Sequence, residues 1–214
     1  MKKLQLLEAL QAEVADCHQC EHLAESRTQT VFGVGNPSAE LMFIGEAPGA
    51  EEDRHGVPFV GRSGSLLTQL INKMGLRRDE VFIANILKCR PDTPGGIGNR
   101  KPNRAEISEC LPYLFEQIKI IEPYVVVLLG ATPLDALFAL TATTITKMRG
   151  QVLHWTDPKF AHRIQVIPTW HPAYVLRNPT KEVRQQIWLD CVTALKILWP
   201  ERTTLEDCRW LPTV

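Results

Sequence analysis

Cys17 and Cys20 are separated by two residues, which puts both thiols on one turn. That is the bite a tetrahedral metal or one corner of an iron–sulfur cluster requires. Cys89 and Cys110 complete a set of four candidate ligands. On spacing alone the second pair also reads as buried thiols, and zinc and iron–sulfur use the same donors, so the metal stays open at this point. Cys191 falls on the apolar face of a late helix and reads as core, while Cys208 sits in a polar tail with no evident partner. Three polar features stand apart from the cysteines. Glu46 opens the turn Glu46-Ala47-Pro48-Gly49, Asn85 interrupts an otherwise apolar run, and His171 follows Pro168-Thr169-Trp170.

Periodicity gives the elements that must position them. Apolar residues at helical spacing (Leu4, Leu7, Leu10, Val14) predict a helix over 2–16 that runs into Cys17. Short apolar runs at 40–45, 81–87, 124–129 and 163–167 predict four buried strands. Helices are predicted over 63–74 with Ser63 as cap and Gly75 as stop, over 104–121, from about Thr132-Pro133, and over 181–198. Strands that alternate with helices and lack a polar face predict a three-layer α/β/α sandwich around a central, mainly parallel four-stranded sheet. In such sheets, ligands gather at the loops leaving the carboxyl ends of the strands. Glu46, Asn85 and His171 are therefore expected on one edge.

The chain has 214 residues, of which 44% are apolar and 22% charged, enough for one domain and outside the disordered class. Its 24 basic and 24 acidic side chains cancel, which excludes a broadly basic nucleic-acid coat but not local basic strips. No apolar run reaches the about 18 residues of a membrane span, and the N-terminus lacks a signal-peptide core. The expectation is a cytoplasmic single domain, with no membrane partner, acting as a monomer.

The motifs in order are Gly45-Glu46-Ala47-Pro48-Gly49-Ala50-Glu51-Glu52-Asp53, Gly56 to Gly64 around Val57-Pro58-Phe59, Asn85-Ile86-Leu87-Lys88-Cys89-Arg90-Pro91, Gly98-Asn99-Arg100-Lys101-Pro102 and His171-Pro172-Ala173-Tyr174-Val175-Leu176-Arg177. With the leading CxxC they resemble the family-4 uracil-DNA glycosylases, the iron–sulfur branch of that superfamily, from Cys17 to about Trp199. The resemblance implies a [4Fe-4S] cluster on Cys17, Cys20, Cys89 and Cys110. It implies hydrolysis of the N-glycosidic bond of uracil flipped out of single- or double-stranded DNA, in base excision repair. Phe59 is then the ring that stacks on uracil, and Asn85 the amide that reads its edge. His171 is the donor at uracil O2, and Gly45 and Ala47 contribute backbone to the base. Glu52 is expected to position water, with Glu46 orienting the loop or the water. Glu51 and Asp53 read as solvated. Val175 and Leu176 resemble the wedge that enters the duplex. Arg177, Arg100 and Lys101, with Lys88, Arg90, Arg104, Lys181 and Arg184, would form basic banks for phosphate.

The sequence departs from the pattern in two places. Ala47 stands where the best-known branch of the superfamily has an aspartate, which makes a cluster-bearing nucleic-acid-binding protein without catalysis the rival expectation. The 92–103 loop is longer than usual. A sister group carries a histidine there that bonds to the abasic sugar, but no histidine occurs between His55 and His154, so plain hydrolysis is expected. The 201–214 tail, and any replication or repair protein that binds it, stay unassigned.

Overall fold

The structure is a computed structural model that describes residues 2–91, 98–138, 144–158, 160–202 and 212. Six strands form one sheet: β1 (Val34–Gly35), β2 (Leu41–Gly45), β3 (Phe82–Asn85), β4 (Val125–Leu129), β5 (Leu153–Trp155) and β6 (Ile164–Thr169), in the order β1-β3-β2-β4-β6-β5. The four predicted strands are its parallel centre, where β2 pairs with both β3 and β4, and β4 with β6. The expected count of four is corrected by β1 and β5, which pair antiparallel on the two edges.

Successive side chains of a strand face opposite sides of the sheet, and here both sides are apolar. Met42, Ile44, Val126 and Leu128 face one layer with Leu7, Leu10, Leu114 and Ile118. That layer is built from α1 (Lys2–Ala15), α2 (Glu21–Ser26), α5 (Arg104–Ile121) and α6 (Ala131–Phe138). Leu41, Phe43, Val125 and Val127 face the other layer with Leu66, Leu70, Ile187 and Trp188. This second layer holds α4 (Arg62–Lys73), α8 (Pro172–Arg177) and α9 (Lys181–Leu198). The short helices α3 (Ala50–His55) and α7 (Ile145–Met148) lie between β2 and α4 and before β5 in the chain. Ser63 is not the cap of α4: the helix begins at Arg62 on the N-cap Gly61, whose amide goes to Glu52. The capping box of α5 is complete, with Asn103 and Glu106 exchanging bonds at 2.9 and 2.8 Å.

Parallel pairing sets the carboxyl ends side by side. Gly45 pairs with Asn85 in register, and Leu129 with Thr169. The residues after these pairs all emerge on one edge.

Candidate active site

A cleft of about 940 Å³ opens on that edge, and Glu46, Ala47, Phe59, Asn85, His171 and Arg177 all line it. The sequence-distant features therefore converge as expected. Asn85 is the last residue of β3 and is 1% exposed. Its Oδ1 is buried and accepts no hydrogen bond among the described residues. An amide oxygen left unsatisfied inside a protein is destabilising by about 1–3 kcal/mol, so a ligand donor is the natural complement.

Phe59 forms the adjoining wall. It is a non-glycine residue at φ 53°, a left-handed conformation that is destabilising by about 1–3 kcal/mol and that surrounding contacts must enforce. Those contacts are visible. Arg78 donates to Pro58 O at 2.8 Å, and Val60 N donates to Glu52 Oε1 at 2.9 Å. Gly64 lacks the Cβ that would fall 1.9 Å from Phe59 O. Gly45 is equally constrained, because a Cβ there would lie 2.4 Å from Asn85 Oδ1 and 2.5 Å from Phe59 Cζ. Gly45→Ala should therefore close the gap between the amide and the ring. The expected result is a loss in kcat/KM on the order of 10²-fold with the far-UV circular dichroism unchanged. A variant with undiminished kcat/KM would show that nothing needs to enter that gap.

His171 caps α8, and its Nδ1 accepts from Ala173 N at 3.1 Å. The proton of the neutral ring is thereby left on Nε2, which makes that nitrogen a donor. Burial lowers the His171 pKa to about 4; the Arg177 charge pushes the same way and Glu52 opposes it. The imidazole is thus uncharged at neutral pH. Its ring centroid lies 5.8 Å from that of Phe59, so donor and stacking surface belong to one slot.

The carboxylates differ from expectation. Glu52 is buried and its two oxygens take three backbone amides: Val60 N and Gly61 N on Oε1, Gly49 N at 3.1 Å on Oε2. It clasps the loop that carries Phe59. Glu46 is half-buried on the cleft wall, and its Oε2 accepts from the Thr132 hydroxyl. Asp53 is not solvated, since it is 5% exposed and accepts from Thr28 N at 3.0 Å. Glu51 is exposed and pairs with Arg54.

The basic residues divide. Arg177 and Lys101 are exposed and line the cleft. Arg100 lines it too, but its guanidinium grips Glu106 through both nitrogens, at 2.9 and 2.5 Å. Those bonds, with one from His22, hold the Glu106 carboxyl at about 2 against the opposing effect of burial. Lys88 belongs to no surface bank, because it is 1% exposed. Val175 is a further correction: it is fully buried in the α8 core, because on a helix only one side can face the cleft, and that side presents Leu176. Sequence reasoning missed Thr132 and Arg78, which act through hydrogen bonds to motif residues and carry no motif of their own.

All four predicted cysteines line one hollow, walled by Leu23 and Leu87. Burial raises Cys20 to about 11 and Cys110 to about 12, so these thiols need the charge of a metal to ionise. Arg27 Nη1 donates to Cys89 Sγ at 3.1 Å and the Lys88 amide to Cys110 Sγ at 3.2 Å. Among the described residues no three His, Cys, Asp or Glu side chains gather closely enough to hold a single ion. An all-sulfur set spread around a hollow fits the corners of a multi-iron cluster better than one tetrahedral ion. Cys191 is core, as expected, while Cys208 and residues 92–97 lie outside the described residues.

A model of the uracil DNA glycosylase superfamily matches residues 32–192, which span the cleft from Glu46 to Arg177. The chain belongs to that superfamily. Its relatives place it in the type-4 branch. It is 41% identical to the type-4 uracil-DNA glycosylase of Thermotoga maritima over 92% of this chain and 97% of the other. Identity to the type-4 uracil-DNA glycosylase of Sulfurisphaera tokodaii is 46% over 81% and 77% of the two chains. For that of Archaeoglobus fulgidus it is 38% over 95% and 99%. The superfamily fold, with its mostly parallel sheet between helical layers, is the architecture the alternating elements predicted. Among the described residues no helix is long and apolar enough to cross a membrane.

Proposed function

We propose that this protein is a uracil-DNA glycosylase that flips uracil out of DNA and hydrolyses its N-glycosidic bond. The carrying observation is the unsatisfied, buried Oδ1 of Asn85, which with the Phe59 ring bounds the space over Gly45. A planar base stacked on Phe59 brings its N3–H to that oxygen, and the amide nitrogen of Asn85 serves uracil O4. As the bond from C1′ to N1 breaks, its electron pair leaves with the base and negative charge builds on O2. The Nε2–H of neutral His171 donates there, a fixed donor where charge develops. Glu46, steadied by Thr132, positions water for attack on C1′ and takes its proton, while the uracil anion is protonated from solvent. Glu52 is assigned to the loop instead, because its oxygens are already taken by three amides. The products are free uracil and an abasic site.

Arg177 and Lys101 on the rim hold phosphate, and Leu176 fills the space the base leaves. Cys17, Cys20, Cys89 and Cys110 would hold a [4Fe-4S] cluster, which supplies a structural cross-link between the first helices, β3 and α5 and no electron to a hydrolysis. We further read the chain as a single-domain monomer of the cytoplasm; two layers packed on one continuous sheet support the single domain, and cysteines without disulfide partners among the described residues suit a reducing compartment.

The test is turnover on end-labelled DNA carrying one uracil, with a thymine control, followed by alkali and a denaturing gel. Iron and sulfide are assayed in the same preparation. Cleavage at uracil only, in excess over enzyme, is the expected result. No cleavage by protein loaded with four irons would overturn this function in favour of binding alone. Full activity in protein that carries zinc would overturn the cluster.

A further inference from the structure

Lys88 buries an ammonium group in the middle of the fold at 1% exposure, and nothing in the mechanism above uses it. A charge in that position is strongly disfavoured unless it is paired or fully hydrogen-bonded. The Nζ of Lys88 donates to Asn85 O at 2.9 Å and to Gln117 Oε1 at 2.7 Å. Gln117 is itself fully buried and is anchored through its Nε2 to Phe32 O at 2.9 Å. Both acceptors are neutral, and no carboxylate pairs with this ammonium among the described residues. Cys110 acts on this charge through space, but neither group bonded to Nζ cancels it. The ammonium sits one hydrogen bond behind Asn85, whose side chain ends in the unsatisfied oxygen of the cleft.

We propose that Lys88 is a positioning residue for the leaving base: it clamps the last carbonyl of β3, which fixes Asn85, and it sets its ammonium behind the amide that faces uracil. The proposal rests on the uracil-excising reading. Uracil departs as an anion, so a fixed positive charge behind its binding edge favours the transition state over the bound substrate, and the gain falls on kcat. A second use of the charge, as counter-ion to the cysteine thiolates, is the alternative. The bonding separates the two. The sulfur of Cys110 is met by the backbone amide of Lys88, a bond any residue at this position could make, whereas the side chain itself goes to Asn85 and Gln117.

The experiment compares uracil with 5-fluorouracil at the same position in one oligonucleotide, because 5-fluorouracil forms a more stable anion and needs less help to leave. Lys88→Gln keeps a donor for the Asn85 carbonyl and removes the charge. Gln117→Glu keeps Lys88 and sets a carboxylate against it, a second route to neutralisation if the first variant fails to fold. Iron content and the midpoint potential of the bound cluster are read in each holoprotein. In both variants kcat on uracil should fall on the order of tenfold, as for a unit charge several Å away in a medium of moderate dielectric. The loss on 5-fluorouracil should be clearly smaller, and KM should change little. Equal losses on the two bases would overturn the proposal, since a merely structural lysine does not sense the leaving group. A shift confined to the cluster potential, with both rates intact, would overturn it in favour of the counter-ion role. If the wild-type protein cleaves at neither base, the glycosylase reading falls and this one with it.

Discussion

Replacing His171 by alanine should lower kcat on uracil-containing DNA by about 10²- to 10³-fold, the effect of deleting one preorganised donor at a developing oxyanion. KM and the iron content should stay near those of the wild type, because His171 lines the cleft and the four cysteines line a separate hollow; the side-chain cap on Ala173 N is lost with the imidazole, a cost local to the start of α8. The pH dependence makes the test sharper. An ordinary histidine would change charge near pH 6.5, but burial, with Arg177 adding to it, holds His171 down at about 4. The neutral Nε2–H donor is then present across the whole range from about pH 5 to 8, and kcat should show no histidine break there. The same shift has a stability consequence, with the sign fixed by which state binds the proton first. Because the folded value lies below the unfolded one, the unfolded chain binds the proton first. Stability attributable to this group is full above about pH 6.5 and declines as pH falls through the folded value near 4. Thermal unfolding of wild type and His171→Gln from pH 7 to 4 reads this directly, and the wild type should lose more Tm on acidification. A break in kcat near pH 6.5, or an alanine variant with undiminished turnover, would remove the neutral donor from the mechanism.

The central strands were legible because burial on both faces leaves an unbroken apolar run, and the runs at 40–45 and 124–129 match β2 and β4 to within a residue. Helices α5 and α9 were legible too: they match the expected ranges 104–121 and 181–198, and each starts on a side-chain cap, Asn103 and Thr180. Strands β1 and β5 were not, since two or three residues in the burial patterns exposed–intermediate and intermediate–exposed–buried carry no periodicity to read. Gly35 shows what replaces it: a Cβ there would fall 1.9 Å from Val81 O, so close approach of two backbones, invisible in a pattern of side chains, makes the pairing. The same distinction runs through the site. Asn85 was readable as a polar residue inside the apolar run expected over 81–87, although β3 stops on it, and His171 was readable through the family resemblance of the His171-Pro172-Ala173-Tyr174 motif, not through its residue type. Glu52 was readable as important but not in its role, because nothing in Ala50-Glu51-Glu52-Asp53 says that Val60 N and Gly61 N will arrive from the next loop. Lys88 misled, since a lysine beside Arg90 reads as a basic strip. Only the three-dimensional approach of Gln117 from α5, 29 residues on, reveals a buried ammonium.

Asn85→Asp should be more damaging than Asn85→Ala, an order that separates electrostatics from shape. Alanine removes both hydrogen bonds to the uracil edge and leaves a small void beside Phe59. Losing two contacts that orient the base should reduce kcat/KM on the order of 10²-fold. Aspartate keeps the size of the side chain and the acceptor for N3–H, so on shape alone it should be the milder change. It loses the donor to O4, however, and it sets an anion where the departing base becomes an anion. Like charges held close together in a buried site oppose each other strongly, so the penalty grows along the reaction and appears in kcat rather than KM. The Nζ of Lys88 is bonded to the backbone carbonyl of this residue at 2.9 Å and to Gln117, not to the side chain, so the new carboxylate gains no ion pair from it and the leaving group loses stabilisation. Single-turnover rates for the three proteins on one uracil oligonucleotide should therefore rank wild type, alanine, aspartate. An aspartate variant as fast as wild type would end the edge-reading role of Asn85. One faster than alanine but slower than wild type would mean that shape, not charge, is what this position contributes to the slot.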